Sequence, residues 1–234
     1  MSRRIGATRL AALLLLAVTS PVIAQQKIDE EYTKQIRQFL RDPRITTELV
    51  DHLPASATVP TPLKHFGHIM GAWGILDKAE SMAAYLESIN KAAPARTKFW
   101  KIGKSEEGRD MVVLVIANEE TIRNLDRYRQ DIDALTDPRR TTDAQAQALI
   151  KRAKPIYWAT SGMHSPETGG PQMLMELAYR LVVEETPLIQ NIRNNVITMI
   201  TPVVEVDGRE KVVDAYNYSK AHPPFRVRRL PPRA

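Results

Sequence analysis

Residues 162–170, Gly-Met-His-Ser-Pro-Glu-Thr-Gly-Gly, set His164 and Glu167 three positions apart. A neutral imidazole and a carboxylate are both good zinc ligands, and structural and catalytic zinc sites commonly draw on such donors. The same spacing also suits a loop histidine hydrogen-bonded to a nearby carboxylate. A short His-x-x-Glu string arises by chance too often to decide between the two on its own. Context adds weight to the metal reading: the pair follows the apolar run 155–161, and Pro166 with Gly169-Gly170 could hold the two side chains convergent at a strand end. The chain has no cysteine, so any zinc must be held by His, Asp or Glu.

Other residues with chemical potential read more blandly. His65 and His68, in Lys-His-Phe-Gly-His-Ile-Met-Gly, are also three apart, and a packing or hydrogen-bonding role suits them better than a second metal pair. His222 lies 55 residues beyond Glu167 beside Pro223 and reads as a loop histidine, because a ligand needs a held ring and a supporting partner. Trp73, Trp100 and Trp158 read as core aromatics.

The elements that must position the pair follow from periodicity. Ile156 to Ala159 is a continuous apolar strand, and Val196 to Ile200 is another. Between them, residues 172–183 place Met173, Leu174, Leu177, Ala178, Leu181 and Val182 on one helical stripe. Strand, helix, strand implies a parallel crossover, and such sheets bind ligands outside the carboxyl ends of their strands, where loop 162–170 emerges. Upstream, residues 97–102 and 111–117 read as two strands of a hairpin joined by Gly103 to Gly108. Helices are predicted over 28–42, over 79–89 with Met82, Leu86 and Ile89 on one face, over 119–135 and over 143–152. The triple-proline stretch 53–62 reads as a linker.

Charge and composition exclude some classes of function. The formal charge is +6, but residues 1–24 hold three arginines and residues 225–234 hold four, with no acids in either, so the rest carries about −1. A nucleic-acid partner is therefore not expected. Arg3, Arg4 and Arg9, the apolar run 10–18 and the small residues before Gln25 form a secretory signal peptide, too short to span a bilayer. The expectation is an exported protein, periplasmic or extracellular, with no membrane anchor after signal removal. The tail 224–234 is Arg- and Pro-rich and reads as a solvated end.

Three segments, in order, resemble the carboxypeptidase A-like zinc carboxypeptidases, especially exported bacterial members. They are Lys101-Ile-Gly-Lys-Ser-Glu-Glu-Gly-Arg109, the stretch 157–170 with its following helix, and Asn194-Asn-Val-Ile-Thr-Met-Ile-Thr-Pro-Val-Val-Glu-Val-Asp-Gly-Arg209. The likeness runs from about 61 to about 222. It implies an α/β fold, a partial carboxypeptidase-like mixed sheet with flanking helices over 61–223, preceded by a helical lead-in and linker at 25–60. It also implies Zn2+ as cofactor, His164 and Glu167 as two of its ligands, and peptide or protein C-termini as partners. Glu205-Val206 stands where the family's turn usually has Asn-Pro. The family's third zinc histidine and its catalytic glutamate have no counterpart, so no catalytic residue is assigned and the 234-residue chain is expected to be an incomplete, inactive fragment with apolar edges such as 196–200 exposed. Two alternatives remain on the same scaffold: an amidase that deacylates acyl-amino acids, and a non-catalytic peptide-binding module.

Overall fold

The computed structural model describes residues 26–222; the expected signal peptide and the whole of the Arg/Pro-rich tail lie outside the described residues. In chain order the elements are α1 (Glu30–Phe39), α2 (Pro62–Phe66), α3 (Ala79–Ala92), β1 (Thr97–Lys104), β2 (Asp110–Ile116), α4 (Glu119–Arg123), α5 (Leu125–Thr136), α6 (Asp143–Ile150), β3 (Ile156–Thr160), α7 (Gly169–Val183), α8 (Pro187–Asn195), β4 (Ile197–Thr201) and α9 (Val206–Ala221). The four strands form one mixed sheet in the order β1-β2-β4-β3. β1 and β2 are the expected antiparallel hairpin, β2 and β4 are also antiparallel, and β3 runs parallel to β4. The fold is thus the expected α/β arrangement of a mixed sheet flanked by helices.

The main core lies where α3 and α7 cover one face of the sheet. Met82, Tyr85, Leu86 and Ile89 of α3, at helical spacing, are fully buried against Leu114, Ile116 and Ile200. Each such side chain withdrawn from water contributes about 1.5–3 kcal/mol. A smaller cluster on the other face joins Val115 and Ile197 to Tyr128 of α5. Among the described residues, no helix is long and apolar enough to cross a membrane.

Several expectations need correction. The helix expected over 119–135 is broken at Asn124, whose backbone leaves the helical region at φ −114° and whose N–H and side-chain amide both donate to the Glu120 carbonyl, closing α4 before α5 begins. In α7 the buried stripe is rotated: Met175 and Tyr179 are inside and Met173 is outside, because the helix is covered by the N-terminal segment as well as by the sheet. The proline-rich stretch 53–62 is packed. Leu53 and Val59 join the core, Asp29 N–H donates to Leu53 O at 2.8 Å, and the Tyr179 hydroxyl donates to Pro54 O at 2.8 Å.

The tryptophans are not core residues: Trp73, Trp100 and Trp158 are 62%, 38% and 50% exposed. The exposed apolar edge is not 196–200 either. β4 sits between β2 and β3 and is buried, while β3, at the end of the sheet, leaves Ile156, Tyr157 and Trp158 open to solvent. Strand order, which no local pattern encodes, decides which apolar strand ends up at an edge.

Candidate metal centre

The loop that carries His164 and Glu167 leaves the carboxyl end of β3, as the crossover predicted. Pairing continues past the strands: Ser161 N–H donates to Thr201 O at 3.2 Å, Val204 N–H to Ser161 O at 2.9 Å and Glu205 N–H to Gly162 O at 3.0 Å. The segment 203–205 therefore runs as a rail beside the start of the loop. Gly162 turns the chain off that rail with φ +61°, and a Cβ there would stand 3.1 Å from Val203 Cγ1. At the far end, a Cβ on Gly170 would come within 2.2 Å of Ser161 Oγ, so any side chain there would displace the Ser161 hydroxyl.

Between these two glycines the chain makes one turn, with Glu167 N–H donating to His164 O at 3.0 Å. The turn brings the His164 Nδ1 and Glu167 Oε1 atoms to 3.1 Å, on side chains 72% and 64% exposed. An imidazole nitrogen and a carboxylate oxygen thus meet at an open strand end.

The three segments that carry the family likeness converge beneath this loop. Asp207, in the first turn of α9, accepts from Ser105 Oγ at 2.8 Å, from Glu107 N–H at 3.0 Å and from Arg109 Nη1 at 2.6 Å. The hairpin turn 105–109 therefore grips α9 across about a hundred residues of sequence. Burial alone would raise the Asp207 pKa, but the Glu107 N–H, Arg109 and Ser105 outweigh it and hold the carboxyl below its ordinary range. The hydroxyl of Ser165, between the two candidate ligands, donates to Glu205 Oε2 at 2.5 Å. Asp207-Gly208, a pair that locally suits a turn, instead lies in the first turn of α9.

The other histidines have structural partners. His68 places Nε2 3.0 Å from Asp77 Oδ1 and Nδ1 3.0 Å from Ile69 O, and the other Asp77 oxygen accepts from Gln172 Nε2 at 3.2 Å. This network ties the segment before α3 to the first turns of α7. His65 packs its ring against Phe66 and Tyr85, with centroids 4.8 and 5.0 Å away. His222 stacks on Tyr218 and faces the Tyr218 carbonyl at 2.9 Å. Among the described residues, no group of three or more His, Asp or Glu side chains is arranged to hold a metal ion.

Sequence reasoning missed Ser165, Glu205 and Asp77. A serine inside a candidate motif and a departure from the usual Asn-Pro were the available signals for the first two. For Asp77 there was none, since its partners lie 9 and 95 positions away.

Comparison with known proteins agrees with the likeness read from the residues. A family model described as zinc carboxypeptidase matches residues 82–229, more than half of the chain. No match was found among curated proteins. Among solved structures, the chain is similar to carboxypeptidase A from Helicoverpa armigera, at 22% identity and TM-score 0.44, over 62% of this chain and 29% of that one. It is similar to thrombin activatable fibrinolysis inhibitor at 18% identity and TM-score 0.43, over 60% and 28%, and to a metallo-carboxypeptidase from Burkholderia cenocepacia at 19% and 0.39, over 56% and 27%. The chain thus spans less than a third of the length of each. On the strength of the family model, matched across all four strands and through the His164 loop, the chain belongs to the zinc carboxypeptidase family.

Proposed function

We propose that this chain carries the metal-binding loop of a zinc metallocarboxypeptidase, with His164 and Glu167 as two of the ion's ligands and peptide or protein C-termini as substrates. The observation that carries the reading is the 3.1 Å approach of His164 Nδ1 to Glu167 Oε1 at the carboxyl end of β3. Two donors bound at ~2.0–2.1 Å to a tetrahedral ion stand about 3.3 Å apart. The donor set fits: replacing the shared proton by an ion requires the side chains to part by only a few tenths of an ångström.

When bound, zinc would polarise a scissile carbonyl and lower the pKa of an attacking water. The residues of this chain supply the setting. Gly162 and Gly170 let the loop fold back on the end of β3, the turn from His164 O to Glu167 N–H keeps the two donors on one side, and their exposure leaves room for a peptide terminus. Among the described residues no third His, Asp or Glu stands with His164 and Glu167 to complete a metal site, so weak zinc binding is expected of them alone. Residues 1–24 act as the export leader in this reading, which places the protein in the periplasm or outside the cell.

The test is zinc binding by competition with a chromophoric chelator, comparing the wild type with His164→Ala and Glu167→Ala. Both variants should lose the site while keeping the far-ultraviolet circular dichroism of the fold. Equal zinc affinity in all three proteins would sink the reading. Incubation with peptides bearing free or amidated C-termini, and with acyl-amino acids, then tells peptidase from amidase chemistry and binding from turnover.

A further inference from the structure

We infer that Glu205 is a positioning residue for the metal loop, acting through the Ser165 hydroxyl in a seat that Gly208 keeps open. The inference rests on the reading of His164 and Glu167 as ligands and adds what orients them.

Three observations lead there. First, Ser165 sits between His164 and Pro166 in a loop whose two candidate ligands are exposed, so packing does not hold their side chains in place. Within that loop, the Ser165 Oγ donation to Glu205 Oε2 at 2.5 Å is a side-chain tie to another part of the chain, 40 positions away. Second, Glu205 is itself fixed. Its N–H donates to Gly162 O at 3.0 Å, its carbonyl accepts from Arg209 N–H at 3.2 Å, and it directly precedes α9. Two residues on, Asp207 is held by Ser105, Glu107 and Arg109. The carboxylate that receives Ser165 is therefore mounted on an anchored helix start.

Third, there is no spare room around the contact. A Cβ on Gly208 would come within 1.8 Å of Glu205 Oε2 and 2.1 Å of Ser165 Oγ. Gly208 has an ordinary negative φ, so the need for glycine here is spatial, not conformational. A glycine in the first turns of a helix otherwise costs stability relative to alanine. At this position the missing side chain leaves the room that the Ser165–Glu205 hydrogen bond occupies. Glu205 is also where the usual family turn has Asn, so the tie belongs to this chain's own residues.

The experiment compares Glu205→Ala, Glu205→Gln and Gly208→Ala with the wild type and His164→Ala, using Zn2+ alone as the probe. Glu205 touches neither candidate ligand directly, so the ~10–100-fold loss typical of a ligand's own hydrogen-bond partner is the upper bound. Glu205→Ala and Gly208→Ala should weaken His164-dependent zinc binding measurably, by less than that amount. Glu205→Gln keeps an acceptor for the serine hydroxyl and should stay close to wild type. Gly208→Ala should hold or raise the melting temperature, because it displaces only two side-chain ends and adds a better helix former. A general loss of structure would not give that combination.

A second readout needs no metal: backbone 15N order parameters of Ser165 and Glu167 should fall from the ordered range of about 0.85 in Glu205→Ala and Gly208→Ala. Unchanged order parameters in both variants overturn the inference, as does His164-dependent zinc affinity equal to that of the wild type. Zinc binding that is absent, or indifferent to His164→Ala, overturns the ligand reading instead. The order parameters still decide whether Glu205 positions the loop.

Discussion

Tyr32→Phe is the substitution that best tests whether the N-terminal segment is an integral part of this fold. Tyr32 lies in α1, is fully buried, and makes two hydrogen bonds through one hydroxyl. It donates to Glu176 Oε2 on α7 at 3.0 Å and accepts from Met70 N–H at 3.2 Å. Burial, with the Glu176 carboxylate beside it, pushes the phenol far above its ordinary pKa, so the donor stays protonated under any working condition. Phenylalanine keeps the ring and opens almost no cavity, which isolates the hydroxyl. A hydrogen bond to a charged acceptor contributes about 1.5–3 kcal/mol, and an orphaned buried N–H costs about 1–3 kcal/mol. Glu176 keeps its ion pair with Arg180 at 2.9 Å, which relieves part of the loss. The expected cost is therefore about 2–3 kcal/mol. Urea unfolding followed by circular dichroism should show a lower midpoint with an unchanged m-value. A change below about 0.5 kcal/mol, within the range of ordinary surface substitutions, would refute the claim that α1 is locked onto α7 through this hydroxyl.

Three further outcomes are expected. Gly162→Ala forces a Cβ into a left-handed backbone at φ +61° and against Val203, and should destabilise by at least about 1–2 kcal/mol in the same unfolding assay; a neutral result would mean that the loop exit is not held in this conformation. Stability should fall at both pH extremes. Arg152 holds Asp131 low and Arg96 holds Glu119 low, so their contribution is complete above the usual carboxylate range and is lost as pH falls through their depressed values. Burial raises Tyr32, Tyr85 and Tyr179, so theirs is complete below about pH 10 and is lost as pH rises beyond it, and a pH series of melting temperatures flat across both limits would contradict these environments. Finally, Tyr157→Lys on the open strand β3 should reduce concentration-dependent association in sedimentation velocity, because a lysine on an edge strand opposes strand-to-strand pairing; association equal to that of the wild type would exonerate this edge.

The parts of the fold legible in the sequence were those with an unbroken local period. Met82, Leu86 and Ile89 repeat at helical spacing and are buried together in α3. The apolar runs before and after α7 became β3 and β4, and their parallel pairing followed from the helix between them. What failed was whatever depended on neighbours in space. Ile156-Tyr157-Trp158 has the apolar continuity of a central strand, yet it ends the sheet, because β4 pairs with β2 on its other side. Trp100 and Trp158 read as core from their hydrophobicity alone, but they lie on β1 and β3, the two end strands of the sheet. Met173 shares a helical stripe with Leu174 and Leu177, and only the docking of residues 53–54 and α1 on α7 shows why the buried face lies toward Met175 and Tyr179.

The candidate site shows the same division more sharply. The approach of His164 to Glu167 was legible because both side chains lie within one turn of chain, where spacing alone constrains their geometry. The hub beneath them joins Arg109 to Asp207 and Ser165 to Glu205, across 98 and 40 positions, and such pairs leave no periodic trace. Gly208 is the instructive case. Read locally, Asp207-Gly208 signals a turn, since glycine usually relieves backbone strain. In the fold it begins a helix with ordinary φ, and its missing Cβ makes room for the Ser165–Glu205 contact. A glycine chosen for backbone freedom and one chosen for space are the same letter, and they differ in what substitution does. Alanine strains the first and unfolds it locally, whereas at the second it leaves the helix intact and displaces the pair above. The sign of the stability change at Gly208, set beside the loss at Gly162, therefore separates two roles that the sequence writes identically.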